Sequence, residues 1–508
     1  MATSRAAPRP LLPPDLAQSH RLLQEAMGTS DDIHYLPLRL RWRNTPALVV
    51  YLDGLTSTDS LHGDVLEPLR RNLPSREPPG DLADLAAQLL NTGVALVTRD
   101  PARVREEVCR GKSALLVDGY SGALILDTQG WEERPVQSPP SETLLKGPRD
   151  GFVENVTTNV AMVRRRLGGP GLVVRHFRVG RRGRTRVAVL YIQDLAPRRL
   201  VQEIIGRIRS VEYDAVLDSF QLRELLAGPV LSPFPRIEGT ERPDKVAAAL
   251  LSGKVAVIMD TSPFALVAPS TLIDSILAPD DYYSTPLLTL FVRLVRLAGW
   301  MVMVLAPPLY IAIEMYNPDI VRTELALYLA QERSGIPLTA AMEVYFLEVV
   351  MEMIYEATIR LPAKVSATAT VVGGVIVGQA AVQARFISGT ALVVAAISAI
   401  GSFTLPGPEI GQTWRATKWV LMVAASFFGV YGLFAAGFAL TVWLASQDSF
   451  GTPYLAPLAP FIFQDLKRDS LWRKPLGEMK GRPRTYRAQD PDRTGRRQNR
   501  KYQDQGER

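Results

Sequence analysis

Hydrophobic and polar positions follow two different rhythms along this chain. Up to about residue 280 the apolar runs are short and closed by polar turns, as in "LVVYLDGL" (48–55) and "AVLYIQDL" (188–195). Such β-rich runs predict strands. Further on, "VREEVCRGKSALLVDGYSGALIL" (104–126) is echoed by "VAAALLSGKVAVIMDTSPFALVA" (246–268). Each reads as a helix ending at Gly111 or Gly253, an apolar strand, an Asp-containing turn and a second strand. The echoes are displaced by 140 and 142 residues. Displacements that agree this closely predict a duplicated α/β unit, one copy near 34–130 and the other near 172–275. Between them "GFVENVTTNVAMVRRRL" (151–167) predicts a connecting helix.

From Leu287 the rhythm disappears into long apolar stretches: 287–313, 365–384, 386–406 and 419–446. Each is close to or above the ~20 residues that a membrane span needs; 365–384 and 386–406, separated by Arg385 alone, form either a tight hairpin of spans or a re-entrant pair. Arg293 and Arg296 are expected to snorkel from the first stretch to the interface, and Pro307-Pro308 to kink it. Gly374 and Gly378, with Gly373 beside them, form a small-xxx-small pattern for close helix packing. The expected fold class is therefore α/β followed by membrane all-α: two tandem related α/β subdomains, then a multi-pass transmembrane helical domain. The boundaries read as a flexible N-terminal segment (1–33), subdomain 1 (34–146), a helical connector with subdomain 2 (147–282), the transmembrane domain (283–450) and a basic tail (451–508).

Composition changes this picture only locally. The mean hydropathy of +0.05 averages two unlike halves, and the net charge of +7 owes much to the tail, where 466–508 carries 14 Lys/Arg against 6 Asp/Glu. The positive-inside rule keeps such a tail cytoplasmic. "MATSRAAPRPLLPPDL" has no apolar core of a signal peptide, which places the N-terminal domain in the cytoplasm. The single cysteine, Cys109, allows no intrachain disulfide and no cysteine-based metal site.

Candidate chemistry is sparse. "RGKS" (110–113) lacks the preceding glycine of a phosphate loop because Glu106 stands there. Asp53, Asp118 and Asp260 each follow a strand, where turn chemistry is the plainer reading than metal ligation. The four histidines are scattered. No catalytic residue, metal site or cofactor is expected, and the chain does not read as an enzyme. Nine arginines crowd 164–186 without one Asp or Glu. Arg164, Arg165, Arg166, Arg181 and Arg182 are candidates to face anionic lipid or an acidic partner, the alternative being a solvated face. Nucleic acid is not expected, since only Phe177 interleaves as a stacking residue.

The unusual segment is "EVYFLEVVMEMIYEATIR" (343–360), an apolar helix carrying Glu343, Glu348, Glu352 and Glu356. The last three share one helical face, and Glu343 lies about 140° from Glu348. Charges cannot look at acyl chains without a cost of ~3 kcal/mol or more. Three arrangements remain: an interfacial helix with its acids in water, pairing with Arg293, Arg296, Arg360 or Lys364 inside a bundle, or a hydrated cation path.

Several long motifs, "GPRDGFVENVTTNVAMVRRRL", "FPRIEGTERPDKVAAALLSGKVAVIMDTSPFALVAP", "PDDYYSTPLLTLFVRLVRL" and "SFGTPYLAPLAPF", closely resemble the A subunits of spore germinant receptors, the GerA family. The resemblance runs from about Asp32 to Asp469; "YIQDL" departs from the family's more polar turn. It implies a multi-pass protein of the bacterial spore inner membrane with its soluble domain toward the spore core. It implies B and C receptor subunits as partners, a pentameric homo-oligomer, and conduction of monovalent cations when nutrient is sensed. On that implication Glu352 and Glu348 rank first as pore residues, then Glu356, then Glu343. A SpoVAF-like accessory channel, a secondary transporter and a non-conducting scaffold are the other classes; no inverted repeat supports the transporter.

Overall fold

The computed structural model describes residues 11–41, 43–71, 80–90, 94–130, 142, 147–228, 232–360, 378–470 and 472–493. The chain forms two compact units. One comprises Met1–Val230, Ile237–Pro269 and Lys480–Arg508, the other Leu231–Arg236 and Ser270–Met479.

The first unit holds two five-stranded antiparallel sheets. Strands β1 (Ile33–Arg39), β2 (Pro46–Leu52), β3 (Val94–Thr98), β4 (Ser113–Val117) and β5 (Ala123–Leu126) run in the order β1-β2-β4-β5-β3. Strands β6 (Leu172–Val179), β7 (Thr185–Ile192), β8 (Glu238–Thr240), β9 (Val255–Met259) and β10 (Ala265–Ala268) run in the order β6-β7-β9-β10-β8, the same path. The longer helices of this unit are α1 (Leu16–Met27), α2 (Leu82–Leu89), α3 (Pro101–Cys109), α4 (Val156–Leu167), α5 (Arg198–Arg209), α6 (Ser219–Ala227) and α7 (Pro243–Leu251). Alternation along β2 sends Leu48 and Val50 into a core with α1 and α3, and Ala47 and Val49 into one with α2, as the two-residue period of a strand dictates. Strands β4, β5, β9 and β10 are buried throughout, which is why they read as unbroken apolar runs.

The repeat reaches further toward the N-terminus than the sequence echoes do. Helix α1 is the counterpart of α4, 140 residues on. Asp15 caps α1 by accepting from Ala17 N and Gln18 N, and Asn155 caps α4 by accepting from Thr157 N and Thr158 N. Buried Ser19 donates to the Pro13 carbonyl, and buried Asn159 to the Val153 carbonyl. The aspartates of the two strand turns do the same job: Asp118 accepts from Leu16 N at 3.2 Å and Asp260 from Val156 N at 3.1 Å. These contacts correct two expectations. Residues 16–27 are an ordered helix with Leu23 and Met27 buried, not part of a flexible segment. The helix at 156–167 is the opening element of the second copy, not a connector.

The second unit is helical: α8 (Pro286–Tyr316), α9 (Thr323–Glu332), α10 (Ala340–Arg360), α11 (Gly378–Gln383), α12 (Gly389–Ser402) and α13 (Pro408–Ser446). Among the described residues two helices, α8 and α13, are long and apolar enough to cross a membrane. Helix α12 has 14 residues, too few to span alone, so the 386–406 stretch is not a full-length span. The 365–384 stretch lies mostly outside the described residues. Helix α8 continues through Pro307 and Pro308. Helix α13 is interrupted at Gly429 (φ 59°, ψ −142°), where Asn317 Oδ1 accepts from Val430 N at 3.3 Å. A side-chain acceptor from a neighbouring helix satisfies an amide beside the interruption. Residues 451–479 belong to this unit, with Tyr454 fully buried in its core, while the chain from Lys480 belongs to the first. The tail expected as one piece is therefore divided.

Candidate functional site

Helix α10 begins where the Thr339 hydroxyl accepts from Met342 N, and its Ala, Leu, Met and Glu content favours the helix throughout. Its four glutamates each have a different partner, and the exposure of their side chains rises along the helix: 0% at Glu343, 4% at Glu348, 34% at Glu352 and 62% at Glu356.

Glu343 is anchored most firmly. Its Oε2 accepts from Ser388 N and Oγ, both at 2.7 Å, and its Oε1 lies 3.4 Å from Arg333 Nε. Ser388 in turn caps α12 by accepting from Ala391 N. Glu332 holds the same helix start, accepting from Thr390 N and Oγ1. Two carboxylates thus sit on the positive end of the α12 dipole. Arg333 also reaches Glu314 at 3.3 Å.

Glu348 pairs with Lys418 of α13 at 2.6 Å, both side chains nearly inaccessible. Lys418 Nζ also donates to Ser398 Oγ at 3.1 Å, and Ser398 donates to the Met303 carbonyl. This chain of bonds ties four helices, α8, α10, α12 and α13. Burying two charges costs several kcal/mol each, which these bonds offset in part, since Glu348 Oε1 has no hydrogen-bond partner among the described residues. Glu352 meets Arg415 at 2.9 Å, and the Arg415 guanidinium stacks 4.5 Å above the Tyr355 ring. Tyr355 donates its hydroxyl toward Ser402 Oγ at 2.8 Å or the Ala399 carbonyl at 3.1 Å. Among the described residues Glu356 pairs only with Arg360, four residues on and open to solvent, a contact worth little.

Of the expected partners, Arg360 is used. Arg293 and Arg296 are not, and they do not snorkel: both are buried on Asp281, at 2.9 and 3.1 Å. The turn before α8 carries an acid close enough to neutralise them, so exposure is unnecessary. Lys364 lies outside the described residues, as do Gly373 and Gly374. Gly378 is buried against Leu392 at ordinary contact distance. Another close helix approach is at Gly401, where a Cβ would collide with the Gly299 carbonyl.

The arginine-rich stretch is split. Arg165, Arg181 and Arg182 are exposed, with Arg182 3.7 Å from Asp214. Arg166 binds Asp150. Arg164 is corrected outright as a surface residue: it is 2% exposed and paired with Asp32 at 2.5 Å, with Ser30 completing its bonds. The stretch contains no acid of its own, but the fold brings acids from 31, 32, 150 and 214 to it. Nor is Lys112 of "RGKS" free; it bonds Glu107 at 2.8 Å.

Sequence reasoning missed Lys418, Arg415, Arg333 and Asp281. A signal existed for two of them. Arg415 and Lys418 are three apart at the start of the longest apolar stretch, hence on one helix face, matching the four-residue spacing of Glu348 and Glu352.

Comparison with known proteins agrees with the motifs. The family described as Bacillus/Clostridium GerA spore germination protein matches residues 21–485. Spore germination protein KA of Bacillus subtilis (strain 168) is 31% identical over 96% of this chain and 89% of its own. Spore germination protein GerLA of Bacillus cereus is 32% identical over 92% and 95%, and spore germination protein B1 of Bacillus subtilis (strain 168) is 33% identical over 92% and 96%. The crystal structure of the N-terminal domain of the A subunit of the Bacillus megaterium spore germinant receptor GerK3 aligns with 52% of this chain and 99% of that one, at 26% identity and a TM-score of 0.41. With a family match across nearly all its length and germination proteins among its relatives, this chain belongs to the GerA family of spore germination proteins.

Proposed function

We propose that this chain is the A subunit of a spore germinant receptor, a non-enzymatic membrane protein of the spore inner membrane. It works with B and C subunits and, as a homo-oligomer, helps convert nutrient sensing into release of monovalent cations. Similarity to named germination proteins over most of the chain supports the germination role, and the two long apolar helices support membrane association. The observation that carries the conduction part is the graded row of acids on α10. Glu343 and Glu348 hold helices together, whereas Glu352 keeps a third of its surface and Glu356 most of it. Repeated around an oligomer, such half-free carboxylates attract cations at a pore mouth. The ranking becomes Glu352 first, then Glu356, with Glu348 a structural pair.

The test is monovalent cation release from spores carrying Glu352→Gln at normal abundance. Several-fold slower release after nutrient addition, with assembly intact, supports the reading. Unchanged release removes Glu352 from the path. The dry pairing of Glu343 and Glu348 favours a second reading, a non-conducting scaffold, which predicts unchanged release for Glu356→Gln as well.

A further inference from the structure

In the first α/β copy the residues after β5 fold back over the corner between α3 and β4. Gly130 N donates to the Leu55 carbonyl at 3.2 Å, and Gln129 Nε2 to the Arg110 carbonyl at 2.9 Å. The corresponding residues after β10 cannot do this in the second copy, because from Ser270 the chain belongs to the helical unit. Yet the corner is covered. Gln489 N donates to the carbonyl of Leu195, the counterpart of Leu55, at 2.9 Å. Gln489 Nε2 reaches the Ala196 carbonyl at 2.5 Å, Arg482 Nε the Leu251 carbonyl at 2.8 Å, and Arg493 the Ser252 hydroxyl at 3.1 Å. Lys254 lies 4.3 Å over the Tyr486 ring and is 5% exposed. Ala488 sits so near Gly253 that an added Cβ there would come within 2.9 Å of its own. The segment is closed on itself by a bridge between Gly481 and Asp492.

We propose that residues 480–493 are an intramolecular latch. They complete the second α/β copy by occupying the corner left open where the chain departs at 270, and they open as one unit at lower free energy than the sheets. The corner is the same backbone geometry in both copies, and a carbonyl such as that of Leu195 needs a donor when covered. In one copy the donor comes from the next residues along, in the other from a segment more than 200 residues distant. The latch rests on hydrogen bonds near the surface, the Lys254–Tyr486 contact and the small Ala488–Gly253 contact, with no large apolar side chain of its own buried on the sheets, the composition of a region that opens locally before the core does.

Hydrogen exchange on the full-length chain in lipid nanodiscs tests this. Peptides covering 482–493 and 251–254 exchange slowly in the native protein. Ala488→Glu speeds both by about tenfold or more while leaving 110–112 unchanged. Native 482–493 exchanging like an unstructured peptide overturns the latch, and so does acceleration confined to the tail. The intramolecular claim has its own check that needs no destabilising change. Ser252→Cys with Arg493→Cys, treated with a short bis-maleimide, links within one chain; Cys109 is buried and does not compete. Links formed solely between chains overturn it.

Discussion

The two α/β copies share a path and differ in how they finish it. Capping residues, turn aspartates and corner glycines recur at offsets of 140 or 142, so what the duplication preserved is a set of backbone hydrogen bonds. Side-chain identity drifted wherever the bond survived: Asp15 became Asn155, and Ser19 became Asn159. Two positions did not drift freely. A Cβ at Gly111 would stand 2.7 Å from the Leu55 carbonyl, and one at Gly253 3.2 Å from that of Leu195, so each corner excludes a side chain. A third pair shows strain tolerated in one copy. Gly119 has φ 86°, and Thr261, its counterpart, holds φ 70°, a conformation that β-branched residues avoid. The contrast teaches that the first copy covers its corner with the residues next along the chain, while the second borrows a distant segment for it.

Where the copies stop being equivalent, the largest effect is expected at Arg164. Its buried pair with Asp32 has no repeat equivalent, since the matching positions are Gln24 and Leu172. Arg164→Ala leaves a carboxylate buried without a cation and should cost about 3–5 kcal/mol in chemical unfolding. Adding Asp32→Leu should recover much of that, and failure to do so would show that the pair orders more than itself. A smaller effect of opposite sign in the two copies sharpens the comparison. Thr261→Gly should stabilise and Gly119→Thr destabilise by about 1 kcal/mol each, read as shifts in melting temperature. Equal signs would mean that Thr261 is held by compensating contacts beyond its weak bond to the Leu217 carbonyl.

The smallest expected effect is a pH slope. Burial pushes the His176 imidazole below its ordinary value of 6.5, and the first copy has Leu36 at the matching place. A lowered folded value means that unfolding takes up a proton. The stability is fully present above pH 6.5 and is lost as the pH falls toward and through the folded value. Unfolding followed across this window should show the loss in the native chain and a flatter profile in His176→Leu; identical profiles would assign the slope to other groups.

The helical unit was legible differently. Apolar length revealed α8 and α13, because lipid or a core demands the same thing of every residue in a span. The acids of α10 were visible as an anomaly, but their partners were not. Lys418 and Arg415 come from a helix some 60 to 70 residues away, and Arg333 from the loop before α10. The prolines of α8 were visible in the sequence; the interruption of α13 at Gly429, where Asn317 supplies an acceptor beside the break, was not.

By itself the sequence determined the α/β class, the repeat, the two long apolar helices and the family. Each of these is written in short-range periodicity or in long ordered motifs, which need no knowledge of who touches whom. Only the tertiary structure decided that Arg164 is buried, that α1 opens the first copy, that Glu343 is the best-anchored acid on α10 and that residues 480–493 complete the second sheet unit. Those outcomes depend on pairs separated by 45 to 293 residues, and a charge or a carbonyl takes whichever complementary group the fold brings within hydrogen-bond reach.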